Sequence, residues 1–404
     1  MHITDSLTNA SEASYRRLVF IICWMTGIFA GINATIFSIM LPQAISEVAV
    51  KVTVAEMSQY GSYIIASFLG GWMFGGIFLG LLSDKFGRVK AMAFSIVLYS
   101  VFTALAGASQ TVWQLAFFRF MTGIGVGGAM LGSSIFLSET WPARSRAIAV
   151  GALVSSYQVG VLLSAVIAQI FPMWRVAFAM GLIALVLAGI VFYYFRELGY
   201  SQKVREAMTT TKGQYRKNLM FGSFIFGCLL VGYWATSAWV PTWMHSLMGE
   251  KAVGHEKNLA TCLHGLCAVV GCMVSGKLVD SGGRKMAIML SFGGAFILSI
   301  WMFLQTGFSR DIYVLYSVLG FFIGMAQAVM YIYLPELFPT KVRATFVGIC
   351  LNSGRLVTIV AVLFMGFLIP LLGGHAVALC LFSMTYLVGA IAAIYAPETV
   401  SPKA

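Results

Sequence analysis

Twelve apolar runs, each long enough to cross a lipid bilayer, constrain this chain more than any other feature. They lie at 18–41, 59–81, 91–109, 113–137, 147–170, 175–195, 218–243, 259–279, 286–306, 312–334, 344–369 and 375–396, and are numbered here as spans 1 to 12. A spanning helix needs about 20 predominantly apolar residues. The runs show no alternation of period two, and a barrel strand would need only about 10 residues. They therefore predict an all-α membrane protein with twelve transmembrane helices. Composition agrees: 59% of the residues are apolar and 10% are charged. So few charges cannot cover a water-soluble globule, which excludes a soluble enzyme, a disordered chain and a disulfide scaffold. The longest polar stretch, 196–217, leaves no room for a soluble domain. Residues 1–17 are polar and no short apolar run precedes a cleavage site, so no signal peptide is expected.

The charges sort by side. With spans counted alternately from the N-terminus, 19 of the 26 basic residues fall on the side of the termini. Lys51, Arg175, Lys251, Lys257 and Arg310 fall on the other side, and Arg119 and Arg355 lie inside spans. Loops rich in Lys and Arg stay cytoplasmic, so both termini are expected in the cytoplasm of a multi-pass cell-membrane protein, a bacterial inner membrane being the first choice. The net charge of +12 is then topology, and no nucleic-acid partner is implied. The seven cysteines lie in or beside spans without metal-ligand spacing, so they read as packing residues, with no metal and no cofactor.

Two halves repeat. Gly80-Leu-Leu-Ser-Asp84-Lys-Phe-Gly87-Arg88 returns as Gly276-Lys-Leu-Val-Asp280-Ser-Gly-Gly283-Arg284, offset by 196. Glu139-Thr-Trp-Pro142-Ala-Arg-Ser-Arg146 returns as Glu336-Leu-Phe-Pro339-Thr-Lys-Val-Arg343, offset by 197. Gly123, Gly127 and Gly151 recur as Gly320, Gly324 and Gly348. The chain divides into an N-terminal six-helix half (1–195), a cytoplasmic linker (196–217) and a C-terminal six-helix half (218–404), related by pseudo-symmetry. Parallel six-span halves are used by alternating-access transporters, with the site near mid-membrane between them.

These motifs carry a resemblance. The Gly-x3-Asp-x2-Gly-Arg loop after span 2, repeated after span 8, resembles the signature loop of the major facilitator superfamily. Arg119-Phe-Met-Thr-Gly123-Ile-Gly125-Val-Gly127 resembles the family's fourth-helix motif. Glu139-x2-Pro142-x3-Arg146 and Pro335-Glu336-x2-Pro339-x3-Arg343 resemble the ends of helices 4 and 10 in sugar and organic-ion members. Tyr233-Trp234 with Trp239-Val-Pro241-Thr, and Asn352-x-Gly354-Arg355, are similar to helices 7 and 11 of the metabolite, aromatic-acid and sialic-acid proton symporters. Pro397-Glu398-Thr399 resembles the tail of sugar porters. Two departures stand beside these. Arg196-Glu197-Leu-Gly-Tyr replaces the Pro-Glu-Ser-Pro-Arg of sugar porters after helix 6. Ala30-Gly31-Ile32-Asn33 replaces the Asp-Gly-x-Asp of aromatic-acid symporters in helix 1.

The resemblance implies a latch role for the loops facing the termini. Asp84, Gly87, Arg88, Glu139 and Arg146 in one half, and Asp280, Gly283, Arg284, Glu336 and Arg343 in the other, are the candidate gating residues; solvated topology anchors are the alternative. Opposite charges at helix ends pair, and Asp suits a helix N-terminus. The intramembrane charges point to the cargo. A charge at the bilayer centre is costly and faces a cavity. Arg355 lies about 11 residues into span 11, roughly 17 Å deep at the helical rise, and Arg119 is shallower. All fourteen acids fall in loops or at span ends, so neither arginine has a carboxylate at its own depth. That favours an anionic cargo, most simply a carboxylate bound bidentately. Arg119 has an alternative: backbone carbonyls or helix 1 could satisfy it, and the resemblance implies a structural or proton-coupling role at this position.

The repeat maps Arg355 onto Gln158, Asn352 onto Ser155, and Asn33 onto Trp234. Candidate substrate ligands are therefore Arg355, Arg119, Gln158, Asn352, Asn33, Tyr233 and Trp234. His264, the one histidine in the interior of a span rather than at its end, is the proton-coupling candidate; a plain hydrogen-bonded histidine is the alternative. The expected activity is secondary active transport of a small organic anion (a carboxylate, aromatic acid or sugar acid) by proton-coupled import, in a monomer. A sugar porter, a drug or metabolite exporter, or an anion exchanger of the same fold is the alternative. No embedded nucleophile, metal cluster or carboxylate pair supports an enzyme.

Overall fold

The computed structural model describes residues 2–49, 53–142, 146–194, 215–248, 254–339 and 343–399. All twelve spans are helices long and apolar enough to cross a membrane. Spans 1 to 5 are the helices His2–Val48, Val54–Phe86, Arg88–Gly107, Val112–Thr140 and Arg146–Ile170. Span 6 is assembled from Trp174–Ala179, a tighter turn Met180–Ile183, and Ala184–Tyr194. Span 7 comprises Arg216–Trp234, a short 3-10 turn Ser237–Trp239, and Val240–Met248. Spans 8 to 12 are Gly254–Gly282, Arg284–Phe303, Asp311–Glu336, Arg343–Leu371 and His375–Tyr395. Helices suit this solvent because they satisfy every backbone group within the segment.

Local chemistry sets the ends. Thr53 and Glu56 form a reciprocal capping box at the start of span 2. Thr111 caps span 4 by accepting from the Gln114 amide at 3.2 Å. The repeated loop motif shows why it carries glycine: Gly87 and Gly283 alone separate spans 2 and 3, and spans 8 and 9, at φ of 101° and 82°, a region other residues rarely enter.

Span 7 departs from the single run expected at 218–243. Pro241 has no N–H for the Ser237 carbonyl one turn before it, and its ring crowds that turn. The helix breaks over 235–239, and the Ser237 carbonyl accepts from the Tyr316 hydroxyl at 3.5 Å instead.

Small residues bring spans together. A methyl on Gly71, Gly75, Gly123 or Gly127 would run into backbone carbonyls between spans 2 and 4. The same holds for Gly271, Gly320 and Gly324 between spans 8 and 10, so the repeat is visible in packing as well as in letters.

The two sets of six spans make polar contacts toward the face opposite the termini. There Lys257 Nζ, buried, donates to the Ile39 carbonyl at 3.0 Å, and Asn258 donates to Gln169 Oε1 at 3.0 Å. Gly265 lies against Leu162, and Gly366 against Ser62. Toward the face of the termini, Gly276 and Gly348 have open space where a side chain would sit. The polar contacts described between the two sets of spans lie at mid-depth and toward the face away from the termini, while apolar contact continues toward the other face, where Gly151 meets Ile332 and Val154 packs with Cys272 and Ala328.

Candidate functional site

Spans 2, 5, 7, 10 and 11 build a group at mid-depth. Arg355 follows the start of span 11 by twelve residues, about 18 Å at 1.5 Å per residue. It is 8% exposed. Its guanidinium carbon sits 5.1 Å from the centre of the Trp72 ring, and Nη1 donates to Asn352 Oδ1, one turn back, at 3.3 Å. Among the described residues it pairs with no carboxylate. Trp72 meets Trp234 edge-on at 6.1 Å, Tyr157 at 6.0 Å and Phe68 at 5.7 Å. Tyr233 stands edge-on to Trp234 at 5.4 Å. Tyr157 and Tyr331 both lie within the electrostatic reach of Arg355. The break in span 7 sits one residue beyond Trp234, so the backbone turns where the aromatic group needs two neighbouring rings. Chemically, this is an aromatic wall carrying one guanidinium, a pairing that holds the cation by its face and suits a bidentate anion along its edge.

Gln158 and Asn352 adjoin this group. Gln158 Nε2 donates to Gln327 Oε1 of span 10 at 2.8 Å, a bond between the two sets of spans. Asn352 Oδ1 faces Gly76 of span 2.

Arg119 stands elsewhere. Its Nη1 and Nη2 donate to the Asn33 and Ala34 carbonyls of span 1 at 2.6 and 2.8 Å. The Phe68 and Phe37 rings cover it at 4.4 and 5.5 Å. The guanidinium is thus covered by spans 1 and 2; the Phe68 ring connects it to the group around Trp72, and Tyr157 of that group also lies within its electrostatic reach. Asn33 is also turned away: its amide donates to the Phe29 carbonyl at 2.7 Å, and its oxygen lies beside Gly181, which places it among spans 1, 3 and 6. His264 is buried; Nδ1 is 3.0 Å from the Tyr316 carbonyl and the ring stacks on Tyr316 at 4.2 Å.

The candidate gating residues separate into two sets. The side chains of Asp84, Glu139 and Arg146 lie outside the described residues. Arg88 donates to Ser83 Oγ at 2.7 Å. In the second half, Arg284 clamps Glu336 through Nε and Nη2, both at 2.8 Å. Asp280 adds to the acidic surroundings of Arg284. Arg343 turns to the Phe338 carbonyl at 3.2 Å. Glu398 from the tail accepts from the Arg284 and Lys285 amides at 3.0 and 3.1 Å, at the N-terminus of span 9. This cluster ties spans 9, 10 and the tail within one half.

Trp72, Tyr157, Gln327, Tyr331 and Lys257 were not singled out by sequence. Four are ordinary-looking members of apolar spans, and only their neighbours in space give them a role. Lys257 falls just outside the apolar run at 259–279, yet the helix starts at Gly254 and draws it between the spans.

Comparisons with known proteins follow the same lines. The Major Facilitator Superfamily model matches residues 23–349 and 254–404. Over 372 residues the chain is 26% identical to the cis,cis-muconate transport protein of Acinetobacter baylyi, covering 87% of each. It is 24% identical to the benzoate transport protein of the same organism, covering 100% of this chain and 95% of the relative. The xylose transporter XylE from E. coli, in a partially occluded inward-open conformation, superposes with a TM-score of 0.77 at 18% identity, over 97% of this chain and 100% of that one. With twelve spans, a duplicated loop and a family match along nearly its whole length, the chain belongs to the Major Facilitator Superfamily, a family of membrane transporters and not of enzymes.

Proposed function

We propose that this protein imports a small organic anion by alternating access, with a co-transported proton. The observation that carries the anion is Arg355: a cation at mid-depth, without a carboxylate partner among the described residues, mounted on Trp72 and held only by Asn352. Muconate and benzoate, named for two relatives, are carboxylates, which supports the same cargo class. The ligand set is Arg355 and Asn352 for the charge, Tyr233, Trp234 and Trp72 for the body, and Gln158 beside them. Arg119 acts as a positioning residue that holds span 1 against spans 2 and 4. Residues 1–195 and 218–404 move as two halves around the site, joined by 196–217, in a monomer of the bacterial inner membrane with both termini in the cytoplasm. The charged loops on that side form its gate.

Physics favours the proton. A monovalent anion entering a negative interior works against about 2.3 kcal/mol per 100 mV, and a proton moving with it cancels that charge. His264 is the candidate carrier.

The test is uptake into liposomes by purified protein, across benzoate, cis,cis-muconate, sugar acids and neutral sugars, with and without an inward proton gradient. Acids alone should move, and the gradient should drive them uphill. Movement of neutral sugars without acids would remove the anion reading. Arg355→Ala should abolish acid uptake in folded protein, and gradient dependence that survives His264→Asn would remove His264 as the carrier.

A further inference from the structure

We infer that Lys257 is a second anion site, where the ammonium exchanges the Ile39 carbonyl for the carboxylate of incoming cargo, and that this exchange opens the face away from the termini. Lys257 lies three residues into span 8, about 5 Å from its end at the helical rise. Cargo entering from that face therefore meets it before Arg355 at mid-depth. Lys257 is 9% exposed and pairs with no carboxylate among the described residues, the adjacent Glu256 included. Its partner is the Ile39 carbonyl of the other half, at 3.0 Å. Pro42 explains why that carbonyl is available. Proline has no N–H for the Ser38 carbonyl and its ring crowds that turn, so the turn holding Ile39 opens to a donor from another helix. An ammonium has three N–H groups, and the carbonyl takes one of them.

The surroundings suit an anion. His245, in the last turn of span 7, lies within the electrostatic reach of Lys257. Thr242, one turn before His245 on the same face, is buried, and its hydroxyl has no hydrogen-bond partner. A buried cation without an opposite charge is costly to keep. A carbonyl dipole offsets that cost less than a carboxylate does, because hydrogen bonds to ionised groups are about twice as strong as neutral ones. An ammonium is a compact point charge rather than a planar fork, so Lys257 reads the charge of the acid and not its shape. Selection among acids is left to the aromatic wall around Arg355. Release of Ile39 removes one of the polar contacts that join the two halves on this face. That the arriving ion is cargo rests on the proposed role of Arg355; the anion site itself does not.

The test is maleimide labelling of Cys262, which lies against the Leu162 carbonyl on this face, in purified full-length protein, followed by mass spectrometry. The probes are acetate and benzoate, with acetamide and benzamide as uncharged counterparts, against a constant sodium chloride background. Both acids should speed labelling of wild type saturably by about 5-fold or more, the order for replacing a neutral acceptor with a charged one. Both amides should leave it unchanged. Arg355→Ala should respond to the acids as wild type does, because this site is not the central one. Lys257→Met should label fast without acid and gain nothing from it. Should that variant not fold, Lys257→Arg should keep the acid response and Lys257→Gln should lose it. No acid response in wild type, a response shared by the amides, slower labelling with acid, or a response that survives loss of the lysine's charge would overturn the site. A response lost in Arg355→Ala would assign it to the central group, overturning the site at Lys257 and keeping the anion reading. A response kept in Arg355→Ala, with no acid carried into liposomes, would uphold Lys257 and overturn that reading instead.

Discussion

Two arginines in apolar spans look alike as letters, and their surroundings separate them. Arg119 directs two N–H groups at span 1 carbonyls and lies between two phenylalanine rings. Arg355 has one long hydrogen bond and an indole face. Arg119→Ala should therefore lower thermal stability by about 1–3 kcal/mol, the range for emptying a packed, hydrogen-bonded position, measured by tryptophan fluorescence on heating. Arg355→Ala should lower the melting temperature less than Arg119→Ala does, since it gives up one long hydrogen bond and one ring face in place of two short hydrogen bonds and two rings, while binding of the acid probe is lost. Arg355→Lys should also fail, because an ammonium lacks the planar fork for a carboxylate and stacks poorly on Trp72. Wild-type binding in the lysine variant would show that charge alone suffices. Sequence reasoning isolated both residues by the absence of acids at their depth. It did not tell them apart, because span 1 carbonyls carry no mark in the sequence.

At the scale of elements, small residues decide which helices meet. Gly123 faces the Phe68 carbonyl with no space for a side chain, whereas Gly189 has nothing within 4 Å and is exposed. Gly123→Val should cost about 1–3 kcal/mol or more through overpacking, read as loss of folded protein in size-exclusion chromatography. Gly189→Ala should be neutral or stabilising by up to about 1 kcal/mol; equal behaviour of the two would refute the close approach of spans 2 and 4. Pro241→Ala returns an N–H to the Ser237 carbonyl, worth about 1 kcal/mol. The melting temperature should rise and the transport rate fall, since span 7 would lose its break beside Trp234. The glycine repeats and the existence of every span were legible from the sequence. The break was not, because a single proline near the end of an apolar run reads as tolerable until the crowding of the preceding turn is seen.

Across the whole molecule, the state is set by which ends touch. Lys257 bonds the Ile39 carbonyl and Asn258 bonds Gln169 across the face away from the termini, where Cys262 lies against the Leu162 carbonyl at 3.7 Å. Lys257→Met keeps the stem and deletes the cross-link. Maleimide labelling of Cys262, followed by mass spectrometry, should then be several-fold faster, as expected when about 1 kcal/mol of closing interaction is removed. Unchanged labelling would show that the ammonium does not hold this face shut. The bidentate Arg284–Glu336 pair works on the other face and within one half. Glu336→Ala should destabilise the protein by about 1–3 kcal/mol by stranding a partly buried guanidinium, and the exchange Arg284→Glu with Glu336→Arg should recover part of that loss on heating.

The sequence by itself determined the solvent, the twelve helices, the duplication and the family, because each depends on spacing along one chain: length of an apolar run, offset of a motif, side of a charge. It also marked mid-membrane charge as the informative remainder. Only the tertiary structure decided that Arg119 belongs to span 1 and Arg355 to an aromatic wall. It likewise decided that Asn33 turns toward span 6, that Gln327 completes a bond with Gln158, and that Lys257 lies between spans. Each of those depends on which helix faces which at a given depth. In a bilayer, apolar surfaces are equally content against lipid or protein, so hydropathy does not choose between partners. Packing of small residues and satisfaction of buried polar groups make that choice, and both are properties of pairs of helices rather than of one.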